Sequence, residues 1–173
     1  MIITNNEEAL RIKCDPVLLE EVGSLISTLE NELSNANRFG AQGIGLAAPQ
    51  IGIAKQISII RLGKGLNIDL INAKIEKGYD PNIFKEEGCL SFPGRVEDTT
   101  RFQEVHITNN LVYPYSFVAT GLLAVVCQHE IDHYHSNLFF DHKITKPLLN
   151  KPKQNPNEAC FCGSGKKRKK CHQ

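Results

Sequence analysis

No run of about 18 consecutive apolar residues occurs in the chain, which argues against a membrane-spanning helix. The N-terminus, Met1-Ile2-Ile3-Thr4-Asn5-Asn6-Glu7-Glu8, lacks the basic start and apolar stretch of a secretory signal, and a transit peptide is missing too. The protein is therefore expected in the cytoplasm. Without a secretion signal, the six cysteines (14, 89, 127, 160, 162 and 171) are not expected to form a disulfide framework, and metal binding or catalysis suits them better. There is no internal repeat. A composition of 41% hydrophobic and 23% charged residues excludes wholesale disorder and a fibrous chain. What remains is a length of 173 residues, enough for one domain with a small appendage.

The net charge of +1 conceals a split. Residues 141–173 carry nine Lys/Arg against two Asp/Glu, or +7, whereas residues 1–140 carry 11 against 17, or −6. A basic tail of this kind points to an acidic partner or nucleic acid, or simply to a solvated terminus.

From Pro16 to about Ala36 the apolar residues Leu18, Val22, Leu25, Ile26, Leu29 and Leu33 recur every three or four positions, predicting an amphipathic helix entered through Asp15-Pro16. The glycine-rich stretch 39–45 reads as a shaped loop. Short β-rich runs follow at 56–61, 67–75, 89–92, 103–109 and 111–119, suggesting mostly antiparallel sheet. Residues 121–135 are apolar nearly all round before turning polar, which predicts a buried helix. Residues 143–156 form a Lys/Pro/Asn linker and 157–173 a cysteine-rich end.

The polar end of that buried helix is His129-Glu130-Ile131-Asp132-His133, an H-E-x-x-H sequence. At 3.6 residues per turn both imidazoles share a face, with Glu130 beside them. Ionisable groups in an apolar setting are costly unless they are paired or bind metal. Hydrolytic sites of this kind use three protein ligands and leave a position open for water. Cys89, in Glu86-Glu87-Gly88-Cys89-Leu90-Ser91, is the best third candidate, whereas Cys14 and Cys127 read as small core residues.

Three motifs stand in order: Gly43-Ile44-Gly45-Leu46-Ala47-Ala48-Pro49-Gln50, Glu87-Gly88-Cys89-Leu90-Ser91 and Gln128-His129-Glu130-Ile131-Asp132-His133. Together they resemble the peptide deformylase family over residues 1–142. The resemblance implies an α+β fold, with antiparallel sheets around a buried metal-binding helix, and removal of the formyl group from the starting methionine of nascent polypeptides. It makes Cys89, His129 and His133 the metal ligands and Glu130 the general acid/base. Gln50 and the backbone N–H of Leu90 become oxyanion donors. It implies Fe2+ as the usual metal, with Zn2+ or another divalent ion able to replace it. Ile44, Leu122, Val125 and Val126 are candidates for the methionine pocket, or plain core. Gly45 would let the substrate backbone approach closely. Glu87 and Arg101 resemble a bracing ion pair. Tyr134 and Ser136 stand where the family commonly has leucine and glycine, and Lys85 where an apolar residue is common, which puts substrate preference and the helix-end geometry in question.

In the tail, Cys160, Cys162, Cys171 and His172 offer four ligands within 13 residues, matching a closed structural zinc site. So short a unit lacks a core, and metal can supply the missing stability. Residues 157–172 resemble the SEC-C motif, which implies Zn2+ and docking to a chaperone or the ribosome. The five consecutive basic residues 166–170 could touch phosphates without sequence specificity. Two other readings remain: an H-E-x-x-H zinc peptidase, which would need a third ligand downstream of the helix, and a metal-stabilised adaptor acting through its tail.

Overall fold

A computed structural model of the chain describes residues 1–38, 40–63 and 65–144, with Asn157, Lys167 and Lys170. The chain divides into two compact units, Met1–Lys143 and Ile144–Gln173. In the second unit the Lys170 amide donates to the Lys167 carbonyl (2.8 Å). The linker from residue 145 to 156 and the tail residues Cys160, Cys162, Cys171 and His172 lie outside the described residues. No helix among the described residues is long and apolar enough to cross a membrane.

Two three-stranded antiparallel sheets make up the first unit. One contains β1 (Gly45–Ala47), β2 (Ile57–Arg61) and β3 (Asn67–Ile71) in that order. β1 and β2 are buried on both faces, so their residues are buried almost without alternation, whereas the edge strand β3 alternates at Asn67-Ile68-Asp69-Leu70. Ile57 and Ile59 pack with Leu29 and Leu33 of α2 (Val22–Arg38), while Ile60 and Leu70 pack with Ala124, Cys127 and Ile131 of α3 (Leu122–Tyr134). Each fully buried leucine or isoleucine contributes about 1.5–3 kcal/mol. The second sheet contains β4 (Lys74–Gly88), β5 (Val96–Thr108) and β6 (Ser116–Thr120), with Val105, Ile107 and Ala119 packed in the same cluster as α3. A buried metal-motif helix against antiparallel sheets is the architecture that the resemblance implied. α1 (Glu7–Leu10) is a single turn capped by Asn6, whose side chain accepts from the Ala9 amide (3.1 Å).

Several expected boundaries move. The N-terminal helix does not begin at Pro16. Asp15 pairs with the segment beside β2, its amide donating to the Ala54 carbonyl and its own carbonyl accepting from Gln56 (both 2.9 Å), which holds the chain extended. Val17 is therefore buried and Leu18 exposed, and α2 starts only after a 3-10 turn at Leu19–Glu21. Residues 89–92 are a turn, not a strand, closed by the Phe92 amide on the Cys89 carbonyl (2.9 Å). The run 67–75 breaks at Asn72 (φ 50°), and 111–119 begins as loop, with Leu111 at φ 66°, before β6. The strand at 103–109 is the end of a longer one, β5.

Both departures at the end of α3 are accommodated. Tyr134 is buried, its hydroxyl donating to the Leu70 carbonyl (2.9 Å) and pairing with Ser58 Oγ (2.6 Å). Ser136 adopts the left-handed conformation (φ 62°) that glycine usually fills, and its hydroxyl donates to the Ile12 carbonyl (2.9 Å).

Candidate active site

Helix α3 enters the core at Gly121 and carries His129 and His133 one turn apart, their rings 5.2 Å between centroids and nearly perpendicular. Gln128 fixes the helix to β5: its amide accepts from the Phe102 N–H and donates to the Phe102 carbonyl, both at 2.9 Å. That bracket continues the sheet's hydrogen bonding into the helix. Cys89, on the turn after β4, brings its sulfur to 3.7 Å from His133 Nε2. One donor atom from each of Cys89, His129 and His133 lies within 4.8 Å of the others.

Glu87 does more than brace the cysteine segment. Its carboxylate sits 2.7 Å from His129 Nδ1, which leaves His129 Nε2 as the ring's other donor atom. Glu87 is held in turn by the Arg101 fork (2.6 and 2.9 Å) and the Thr99 hydroxyl, and Arg101 also reaches Asp132 (2.6 Å). Burial would raise the Glu87 pKa, but the hydrogen bonds from His129 and Arg101 overcome it and bring it down to about 2. The expected bracing pair is thus also the support of a candidate ligand.

The surroundings favour positive charge between Cys89 and the two imidazoles. Burial works against a charged His129, yet the Cys89 sulfur, Glu87 and Glu130 hold its pKa well above the ordinary value. Burial, with the neighbouring His129 charge, lowers His133 to about 3, so its imidazole is neutral and its lone pair available. Burial first, then the nearby Glu87 charge, raises Glu130 to about 7. Among the described residues, Glu130 Oε2 and His133 Nδ1 are buried and have no hydrogen-bond partner. A thiolate with two imidazoles suits a borderline divalent metal, and the unsatisfied carboxylate oxygen beside them fits a site that holds a cation and a polar ligand.

A cleft of about 510 Å³ opens over this cluster. Cys89, His129, Glu130, Gln50 and Leu90 line it; so do Ile44, Gly45, Leu122, Val125 and Val126. His133 is buried and is not among the lining residues. Gln50 sits on a 3-10 turn (Ala48–Ile51), its carbonyl oxygen accepting from the Ala47 amide (2.8 Å). Its Nε2 lies 3.3 Å from Cys89 Sγ and 3.2 Å from Ser91 Oγ, the latter a contact that the sequence reading missed. At Gly45, which lines the cleft, a Cβ would run into the Glu130 carboxylate. The glycine makes room for that side chain.

The model of the polypeptide deformylase family matches residues 1–150. The chain belongs to that family. It is 39% identical over 145 residues to a peptide deformylase of Syntrophomonas wolfei, covering 83% of this chain and 92% of the relative. It is 38% identical over 141 residues to one of Natranaerobius thermophilus, covering 76% and 89%. Among solved structures, a peptide deformylase from Legionella pneumophila aligns with a TM-score of 0.73 at 33% identity, over 84% of this chain and 86% of that one. A peptide deformylase from Synechococcus elongatus in complex with actinonin aligns with the same score at 34% identity, over 84% and 79%. Peptide deformylases are hydrolases dependent on a divalent metal, and this one removes the N-formyl group from nascent peptides.

Proposed function

We propose that Cys89, His129 and His133 hold one divalent metal and that Glu130 is the general acid/base for removal of the formyl group from the initiator methionine, releasing formate. The observation that carries this reading is the convergence of three donor atoms within 4.8 Å beside a cleft that Cys89, His129 and Glu130 line. The metal, Fe2+ by preference and Zn2+ or another divalent ion otherwise, would supply Lewis-acid polarisation and a more acidic water. Glu130 takes the proton of the attacking water and passes it to the departing amine. The Gln50 side-chain amide and the Leu90 backbone N–H donate to the oxyanion that develops at the formyl group. Ile44, Leu122, Val125 and Val126 receive the methionine side chain, and Glu87 keeps the His129 ring in place through Nδ1.

Formate release from formyl-Met-Ala-Ser by anaerobically prepared, iron-loaded enzyme tests this assignment. Chelation is expected to abolish release, and added Fe2+ to restore it. A stripped enzyme that keeps its full rate would overturn the metal assignment.

The tail is read as a SEC-C-like zinc motif bound through Cys160, Cys162, Cys171 and His172, docking the enzyme to the ribosome or a chaperone. Its ligand spacing and +7 charge support this. The work is assigned to the cytoplasm, where formylated chains are made. Deleting residues 157–173 is expected to remove one zinc per chain and leave turnover of short formyl peptides nearly unchanged. A large fall in that turnover would argue against a purely docking role.

A further inference from the structure

Neighbours in a regular strand point to opposite faces, so Glu86 and Glu87 should diverge. Both line the cleft. The cause is a β-bulge: Phe84 pairs with Thr99 and Glu87 with Glu97, leaving one residue more on β4 than on β5 between those pairs. Glu86 sits in the bulge at φ 54°, and its amide donates to Asp98 Oδ1 (3.1 Å), which pins the backbone in that conformation. A left-handed conformation at a residue other than glycine is strained, and such strain gathers where a side chain must be aimed.

The two carboxylates have different surroundings. Glu87 is buried and saturated by Arg101, Thr99 and His129. Glu86 is exposed, and its carboxylate makes no hydrogen bond or ion pair among the described residues. The other ionisable residues lining the cleft are Cys89, His129 and Glu130, which belong to the candidate centre. The exposed lining residues Gln42, Pro93, Gly94 and Leu122 are neutral. Lys85 is exposed and does not line the cleft, and Arg95 is occupied with Glu97 (3.3 Å) and the Phe140 ring (3.7 Å to its centroid). Among the described lining residues, Glu86 therefore supplies the charge at the exposed rim.

A formylated substrate is blocked at its amino end, so only the chain downstream of the methionine can leave the cleft. We propose that it leaves past Glu86 and that Glu86 is a specificity-determining residue, favouring nascent chains with Lys or Arg just after the formyl-methionine and disfavouring Asp or Glu there. This rests on the deformylase assignment of the cleft. A charge at the rim acts on encounter and binding more than on the chemical step.

The test compares formyl-Met-Lys-Lys-Ser with formyl-Met-Glu-Glu-Ser, with formyl-Met-Ala-Ser as reference, using the metal-loaded full chain. The lysine peptide is expected to have the higher kcat/KM by about fivefold at low ionic strength, the size typical of an exposed charge pair, carried mainly in KM and shrinking as salt is added. Glu86→Gln should bring the two peptides together, and Glu86→Lys should invert the order, which a merely structural role for Glu86 would not do. Equal kcat/KM for both peptides in the wild type, or a preference that survives Glu86→Gln, overturns the inference alone. Failure to process all three peptides would instead overturn the deformylase assignment, and the inference with it.

Discussion

Replacing Glu130 with glutamine is expected to lower turnover of formyl-Met-Ala-Ser by about 10²–10⁴-fold, the usual contribution of a positioned proton-transfer group, with metal content unchanged. Glutamine keeps the shape that Gly45 makes room for, so the variant removes proton transfer without opening a cavity or pressing on β1. It also removes a buried carboxylate that has one oxygen without a partner among the described residues, so folding stability should not fall with activity. Single-turnover formate release, measured beside metal analysis of the same preparation, separates the two effects. A rate within tenfold of wild type at full metal content would remove Glu130 from the role of acid/base.

Arg101→Ala should produce the largest loss of stability. Arg101 is 3% exposed and joins β5 to the carboxylates of Glu87 on β4 and Asp132 on α3. Truncation leaves the Glu87 carboxylate buried without its cation, a change that costs about 3–5 kcal/mol. For a unit of this size the melting temperature should fall by roughly 10–15 °C. Glu87 also holds His129 Nδ1, so metal affinity should drop by about 10–100-fold, as when an outer partner of a ligand is lost. Arg101→Lys should recover little, because one ammonium cannot replace a fork bonded at 2.6 and 2.9 Å to Glu87 and at 2.6 Å to Asp132. Thermal unfolding and metal titration of both variants check this. A melting temperature within two degrees of wild type for Arg101→Ala would contradict it.

Helix α3 was legible because two local signals agree, a continuous apolar stretch and an i, i+4 histidine pair. The separate strands of the first sheet were also legible from their apolar runs. β4 was not. Gly78, Asp80, Pro81 and Asn82 disfavour a strand, and no β-rich run is read between 75 and 89, yet all four lie inside one. As an edge strand β4 tolerates Pro81, and Gly78 is needed because the Phe102 ring fills the place of its Cβ. The start of α2 was misread because Asp15-Pro16 resembles a helix entrance, while hydrogen bonds to Ala54 and Gln56, about 40 residues away, keep it extended. At the site, the spacing of His129, Glu130 and His133 is local and readable. The support of His129 by Glu87 depends on how two distant segments meet, and the aim of Glu86 depends on a single extra residue in a ladder. Neither leaves a periodic trace in the sequence.

A fifteen-residue edge strand also bears on aggregation. An unbroken row of free N–H and C=O groups is a template on which a second molecule can add a strand. β4 does not offer one. Pro81 contributes no N–H, Lys77 and Lys85 bring charge to the edge, and register shifts at Ile75/Lys77 and Phe84/Glu87 interrupt the ladder. The bulge that turns Glu86 into the cleft thus also helps to keep the enzyme from pairing edge to edge with its own copies at the concentrations reached in a crowded cell.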